Sequence, residues 1–330
     1  MKKKTLLFFL TVLISQSCNF SDYSARKNGS IDVAIRNEIK SLDDRLFKGI
    51  VNNDMEAVKA LMSPKLLEKF GTVVNEIVNK FSVVKIDSYT LFDEYAVHSS
   101  STGTLITLPS GNSGDNDYVF RFQPQDKDSY VSMLLLKNYE NRFLLTAVYA
   151  KYQNQWKLYH LGLGQYSLFG KTAPDYFRLA RSSYEKSYLI DAFYNILIAN
   201  LCLQPAGDLW QFQKENDIKE FQDKITREVN FKYKFPITLT NIESKPQVFK
   251  IYPKIENDGF FPMVYYLTNI DLKDTVALKL ENEKIQKEVS KIFTGIKQDK
   301  KFVFYWAFNE LPEEQTKRYE HYGFVEDVIK

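Results

Sequence analysis

Few side chains in this 330-residue sequence stand together in a way that could bind a metal, move a proton or attack a substrate. Its three histidines, His98, His160 and His321, are isolated, and its two cysteines, Cys18 and Cys202, are far apart. Zinc and related ions need three or four ligands brought together, so the sequence predicts no metal site and no cofactor. Asp93 and Glu94 with His98 come nearest to an acid–base set. On a strand Glu94 and His98 share a face but stand about 13 Å apart, beyond hydrogen-bond reach. Gly162-Leu163-Gly164 has two glycines of a dinucleotide-binding turn and lacks the third, and no P-loop or G-x-S-x-G is present. No catalytic residue is expected. Cys202 lies in the apolar run 196–203 and is expected to be a buried, inert thiol.

His160 has the most suggestive setting of the three histidines. It alternates with Trp156 and Leu158, which aims all three to one side of a strand, and Tyr149 on the preceding strand is expected nearby. His160, Trp156 and Tyr149 therefore outline a candidate pocket. The alternative is a histidine satisfied by a neighbouring strand or helix end.

The elements that must position these residues follow from periodicity. Ile31, Ile35, Ile39, Leu42, Leu46 and Ile50 form one helical stripe, predicting a helix over 31–51. Asn53 with Glu56 reads as a cap for a second helix through Met62, and Ser63-Pro64 opens a third segment to Gly71. Thr72 to Phe81 continues as helix. From Ser82 the period shortens: 83–86, 91–98, 118–122, 130–136, 143–151 and 155–163 read as strands joined by short polar turns, hence antiparallel hairpins. The Ser/Gly/Thr-rich insertion 99–116 is expected to be a loop or flap with at most a short strand at 105–108. In 143–150 both alternating sets are largely apolar, so both faces of the sheet should be covered, by the helical hairpin that follows or by a second copy of the chain. The hairpin is the preferred cover, and a monomer the expected state.

Helices followed by a meander ending in Trp156-Lys157-Leu158, with Asp54 to Pro64 reading D-M-E-A-V-K-A-L-M-S-P, resemble the nuclear transport factor 2-like (cystatin-like) α+β cone. The resemblance covers about 31–165 and implies a curved sheet wrapped on helices, whose hollow serves enzymes, binders and scaffolds alike. Residues 172–205 read as two helices. Tyr176, Leu179, Ala180, Ala192, Ala199 and Pro205 fall near the positions of one tetratricopeptide repeat. A lone repeat cannot bury its own face, so a packed hairpin between two domains is expected. From Asp208 onward an amphipathic helix (217–230), strands at 236–241, 247–252 and 260–267, a charged helix near 280–293 and the aromatic strand Lys301–Phe308 predict a second α+β domain. That last strand is expected to be central and covered on both faces.

The N-terminus bears on location. Lys2 to Lys4 precede ten apolar residues, Thr5 to Ile14, which as a helix would span only about 15 Å, half of a bilayer core; this is an export signal. Ser15-Gln16-Ser17-Cys18 resembles the acceptor of a bacterial lipoprotein signal, which implies acylation of Cys18. Ser15-x-Ser17 also suits an ordinary signal peptidase, so plain secretion is the alternative. Asn19, in place of Asp, favours the outer membrane if the source is Gram-negative. The chain carries 44 Lys+Arg against 41 Asp+Glu, and residues 1–17 hold three of the lysines and no acid. The remainder is neutral, which argues against nucleic-acid binding.

The whole reads as an α+β protein in sequential parts: signal (1–17), lipid attachment and tether (18–30), cone-like domain (31–170), helical hairpin (171–207) and C-terminal domain (208–330). The expected role is a membrane-tethered, non-enzymatic binding or assembly protein, with the membrane reached through the lipid and a protein as a further partner. The alternative is a small-molecule binder or enzyme using the hollow of the cone.

Overall fold

Asp32 starts the first helix, α1 (Val33–Val51), by accepting hydrogen bonds from the amides of Ala34 and Ile35. Its stripe buries Ile39, Leu46 and Ile50 almost completely. Helix α2 (Met55–Leu61) is capped by Asp54, whose carboxylate accepts from the Ala57 amide at 3.0 Å. Asn53, the cap expected from spacing, instead takes a left-handed φ of 56° and ends α1. Ser63 opens a further helical stretch, 64–69, as expected. The structure, a computed structural model, describes residues 22–69, 86–137, 141–256, 259–312 and 317–329. Cys18, the helix expected at 72–81 and most of the strand expected at 83–86 lie outside them.

Strands β1 (Tyr23–Lys27), β2 (Ser88–Ser99), β3 (Ile106–Pro109), β4 (Tyr118–Phe122), β5 (Asp128–Lys137), β6 (Arg142–Tyr152) and β7 (Gln155–Ser167) build the N-terminal half. Five of them form an antiparallel sheet in the order β1-β2-β5-β6-β7. Part of the expected tether thus belongs to the sheet: Tyr23 stands opposite Ser99 and Lys27 opposite Tyr95. One face packs on α1 and α2 through Leu145, Ala147, Tyr149 and Leu158.

The other face, led by Leu144 and Val148, is covered within the chain. The hairpin α3 (Ala173–Glu185) and α4 (Leu189–Leu201) supplies part of the cover. Thr172 and Asp175 cap α3 reciprocally, with Pro174 in its first turn. The rest comes from a small sheet, β3-β4-β8, where β8 is Trp210–Phe212. The insertion 99–116 is therefore no free flap. Ile106 and Leu108 alternate into the core, at 0% and 1% exposure, and pair with Phe122 and Phe120 of β4. Trp210–Phe212, placed in the C-terminal domain by order along the chain, pairs with β4 and completes the N-terminal half.

The second half contains α5 (Glu215–Lys232), β9 (Ile237–Thr238), β10 (Gln247–Glu256), β11 (Gly259–Leu267), α6 (Thr275–Ile292), β12 (Phe302–Phe308) and β13 (Tyr322–Asp327). Its sheet runs β13-β12-β11-β10-β9, with β11 and β12 parallel and joined across α6. Val303, Tyr305 and Ala307 of β12 pack under α4, α5 and α6. On its opposite face Phe304 clusters with Phe261 and Met263, and that cluster contains no helical residue. The aromatic strand is internal, as expected, but only one of its faces lies under helices. The hairpin joins the two halves: Ile196 and Ala199 of α4 enter the first core, Leu189 and Ala192 the second.

Gly162-Leu163-Gly164 has a packing explanation. A Cβ on Gly164 would stand 2.6 Å from the Pro205 carbonyl oxygen and 3.0 Å from that of Gln204, all backbone that cannot turn aside. Gly164→Ala is expected to lower stability by about 1–3 kcal/mol, read as a reduced urea midpoint. An unchanged midpoint would show that β7 and the loop after α4 are not so closely apposed.

Candidate ligand pocket and the residues around it

His160 does not join Trp156 and Tyr149. The β6–β7 ladder pairs Val148 with His160 and Tyr149 with Leu158, so Tyr159 is an additional residue, a β-bulge. Beyond a bulge the alternation changes sides. Trp156 and Leu158 stay with Tyr149 under α1 and α2, while His160 emerges beside Val148 on the opposite face. The expected three-residue pocket is split by this one residue.

The helix-side hollow is filled at Tyr149, which is fully buried. Its hydroxyl donates to Asp43 Oδ1 at 2.8 Å, and Ser132 donates to Asp43 Oδ2 at 2.7 Å. Burial pushes the Asp43 carboxyl up to about 7, against the lowering effect of those two donors. Asp43 was not singled out by pattern, although a signal exists: it sits four residues after Ile39 and three before Leu46, an acid on a buried stripe. Trp156 is 7% exposed, packs edge-on to Tyr130 and has its indole nitrogen buried without a partner among the described residues.

His160 lines a different cavity, of about 550 Å³, between 63–69 and the ends of β6 and β7. Its Nε2 is buried with no hydrogen-bond partner among the described residues, and burial alone lowers its pKa to about 4, so the ring is neutral at pH 7. A neutral imidazole offers one donor and one acceptor nitrogen. Phe122, Val148, Ala150, Tyr159 and Leu209 give the cavity an apolar lining. The volume is in the range of small-ligand sites, roughly 300–1,000 Å³.

The remaining candidates are committed elsewhere. Asp93 and Glu94 are adjacent in sequence yet serve opposite faces of the sheet: Asp93 pairs with Lys27 at 2.9 Å, Glu94 with Arg36 at 2.5 Å. His98 is exposed and meets Asp128 at 2.7 Å; His321 stacks on Trp306 with ring centres 4.0 Å apart. Cys202 is buried, with its thiol pushed up to about 12 by burial, the inert state expected. Among the described residues no three His, Cys, Asp or Glu side chains are grouped to hold a metal, and no helix is long and apolar enough to cross a membrane. No family model, curated protein or solved structure matches this chain.

Proposed function

We propose that the chain is an exported, lipid-tethered binding protein of a bacterial envelope, non-enzymatic, whose ligand seat is the His160 cavity. The observation that carries the binding role is that cavity: open, about 550 Å³, with half-buried Tyr159, His160 and Leu209 in its lining and lysines around it. The enzyme reading has less support, because Asp93, Glu94 and Asp43 are engaged by neighbouring donors.

Acylation of Cys18 and delivery to a membrane, the outer one in a Gram-negative cell, complete the reading. Because β1 begins at Tyr23, only residues 19–22 separate Cys18 from the sheet. Fully extended they reach at most about 14 Å, so the body would rest against the headgroups. The helices on one face of the antiparallel sheet are in keeping with the cone-like resemblance, in which case the proposed seat opens at the end of the sheet beside 63–69 and not in the hollow at Tyr149.

Growth with an alkyne fatty acid tests the anchor. Label is expected on the wild-type protein, with loss of both label and membrane sedimentation in Cys18→Ala; an unlabelled, soluble wild type would overturn it. A ligand-observed NMR fragment screen tests the seat. Hits are expected to compete with one another and to weaken in His160→Phe, and a screen with no hits that depend on His160 would overturn it.

A further inference from the structure

The lining of the His160 cavity says more than that something binds there. Four lysines, Lys65, Lys69, Lys151 and Lys157, stand around it against two carboxylates, Glu68 and Asp126. Two of these ammonium groups spend their hydrogen bonds on neutral oxygens. Lys65 Nζ donates to Gln125 Oε1 at 2.7 Å, and Lys157 Nζ to the Ala60 carbonyl at 3.1 Å. Lys151 is 4.0 Å from Asp128 and 5.3 Å from the Trp156 ring centre, a long ion pair backed by a cation–π contact. The positive charge is therefore only partly balanced, and it is concentrated on one site of a chain that is neutral beyond its first seventeen residues.

Charge and lining are segregated. The lysines sit at half-exposed or exposed positions, whereas the accessible apolar surface comes from half-buried Tyr159 and Leu209. A ligand that satisfies both has an apolar body against Tyr159 and Leu209 and an acidic head at the lysines. A neutral apolar compound would leave the cationic side unpaired, and a bare inorganic anion would leave the apolar lining in contact with water. An alkylammonium would be repelled.

Resting on the binding role proposed above, we infer that the His160 cavity takes a free, single-chain amphipathic anion, an acid head on an apolar chain. Lys65 and Lys157 meet the head, and the half-buried His160 ring lies beside the apolar chain. The cavity lies at the end of the sheet, between 63–69 and Val148, Tyr159 and His160, and so is separate from the filled hollow at Tyr149 beneath α1.

Isothermal titration of the mature chain carrying Cys18→Ser, so that no acyl group competes, is the test. Decanoate, 1-decanol, decylammonium and inorganic phosphate are the probes. Decanoate is expected to bind at least tenfold more tightly than any of the other three at 50 mM salt. Its affinity is expected to fall several-fold at 0.5 M salt, while that of decanol does not. Lys65→Gln with Lys157→Gln should weaken decanoate at least tenfold and leave decanol unchanged; the salt series on the unaltered lysines decides the matter if that variant folds poorly. Decanoate should also move the imidazole nitrogen signals of His160, identified by their absence in His160→Gln.

Equal or better binding of decanol or decylammonium at the His160 site would overturn the ligand class while leaving the seat intact. No binding of any probe, with no shift at His160, would remove the seat as well. Retention on phosphatidylglycerol vesicles without decanoate binding would reassign the lysines to a membrane surface and overturn the inference.

Discussion

Replacing Asp43 with Asn is expected to change the pH dependence of stability by about 4 kcal/mol between pH 4 and pH 8. The folded-state value of the Asp43 carboxyl, about 7, lies above the ordinary 3.8 it regains on unfolding, because burial disfavours the carboxylate. The folded protein therefore holds a proton there that the unfolded chain has lost. Stability from this group is complete below about pH 4 and is lost as pH rises through 7, at about 1.4 kcal/mol per unit. Asn removes the titration and keeps the geometry: Tyr149 donates to the amide oxygen, and the amide nitrogen donates to a rotated Ser132 hydroxyl. The stability gap between the two proteins, read from urea unfolding at several pH values, should shift toward the variant as pH rises. A gap independent of pH would mean that Asp43 is ionised throughout.

His160 acts in the opposite sense. Its folded-state value, about 4, lies below the 6.5 of the unfolded chain. The stability it contributes is present above pH 6.5 and is lost as pH falls through 4, by about 3 kcal/mol. Between pH 4 and 6.5 the two slopes nearly cancel in the native sequence. Asp43→Asn should thus unmask a stability that rises with pH across that window, and His160→Gln one that falls. A flat wild-type profile conceals two large titrations of opposite sign.

What pattern reading recovers and what it misses in this chain have separate physical causes. The helix stripe Ile39–Leu46–Ile50, the hairpin 172–205 and the meander are legible because amphipathic periodicity and turn residues are local signals. The β-bulge at Tyr159 is not: it inserts one residue into an otherwise regular alternation, and Trp156, Leu158 and His160 read alike until the ladder to β6 is known. The β3-β4-β8 sheet is missed for a different reason. Phe120 pairs with Trp210 across about ninety residues, and a three-residue strand such as Trp210–Phe212 carries no period of its own. The covered second face of β6 was legible as a need, from its two apolar sets, but half of its cover came from that distant strand. The lysines around the His160 cavity belong to separate elements, 64–69, β6 and β7, and form a group only in three dimensions.

Asp93→Ala and Glu94→Ala are each expected to destabilise the N-terminal half by about 2–4 kcal/mol, the cost of removing a buried, hydrogen-bonded carboxylate from its donors and a partly exposed cation. Asp93 is 5% exposed. Its Oδ2 pairs with Lys27 and accepts from the Tyr118 hydroxyl at 2.5 Å, and its Oδ1 accepts from Asn28 Nδ2 at 2.8 Å. Tyr118 in turn stacks on Trp210 at 3.7 Å, so the carboxylate ties β1 to the small sheet across the first core. On the other face Glu94 binds Arg36 of α1 and accepts from Tyr130 at 2.5 Å, while its own amide donates to Asn28 Oδ1. Asn28 thus links both carboxylate residues to the end of β1, where its left-handed φ of 49° suits an asparagine. Truncating Asp93 leaves a half-buried ammonium with the Ser110 carbonyl and the Tyr95 ring, and a tyrosine hydroxyl with the Tyr95 hydroxyl and the Met133 sulfur. A double-mutant cycle of Lys27→Met with Asp93→Ala should show a coupling of about 2 kcal/mol or more, because removing both partners leaves no uncompensated charge. Carboxylates kept for chemistry behave differently: substituting them usually leaves stability unchanged or raises it, since strained functional groups are held at a cost to the fold. Unchanged or raised midpoints in both single variants would return Asp93 and Glu94 to the list of catalytic candidates; losses of several kcal/mol would establish them as the clasps that hold the first strand to the body of the protein.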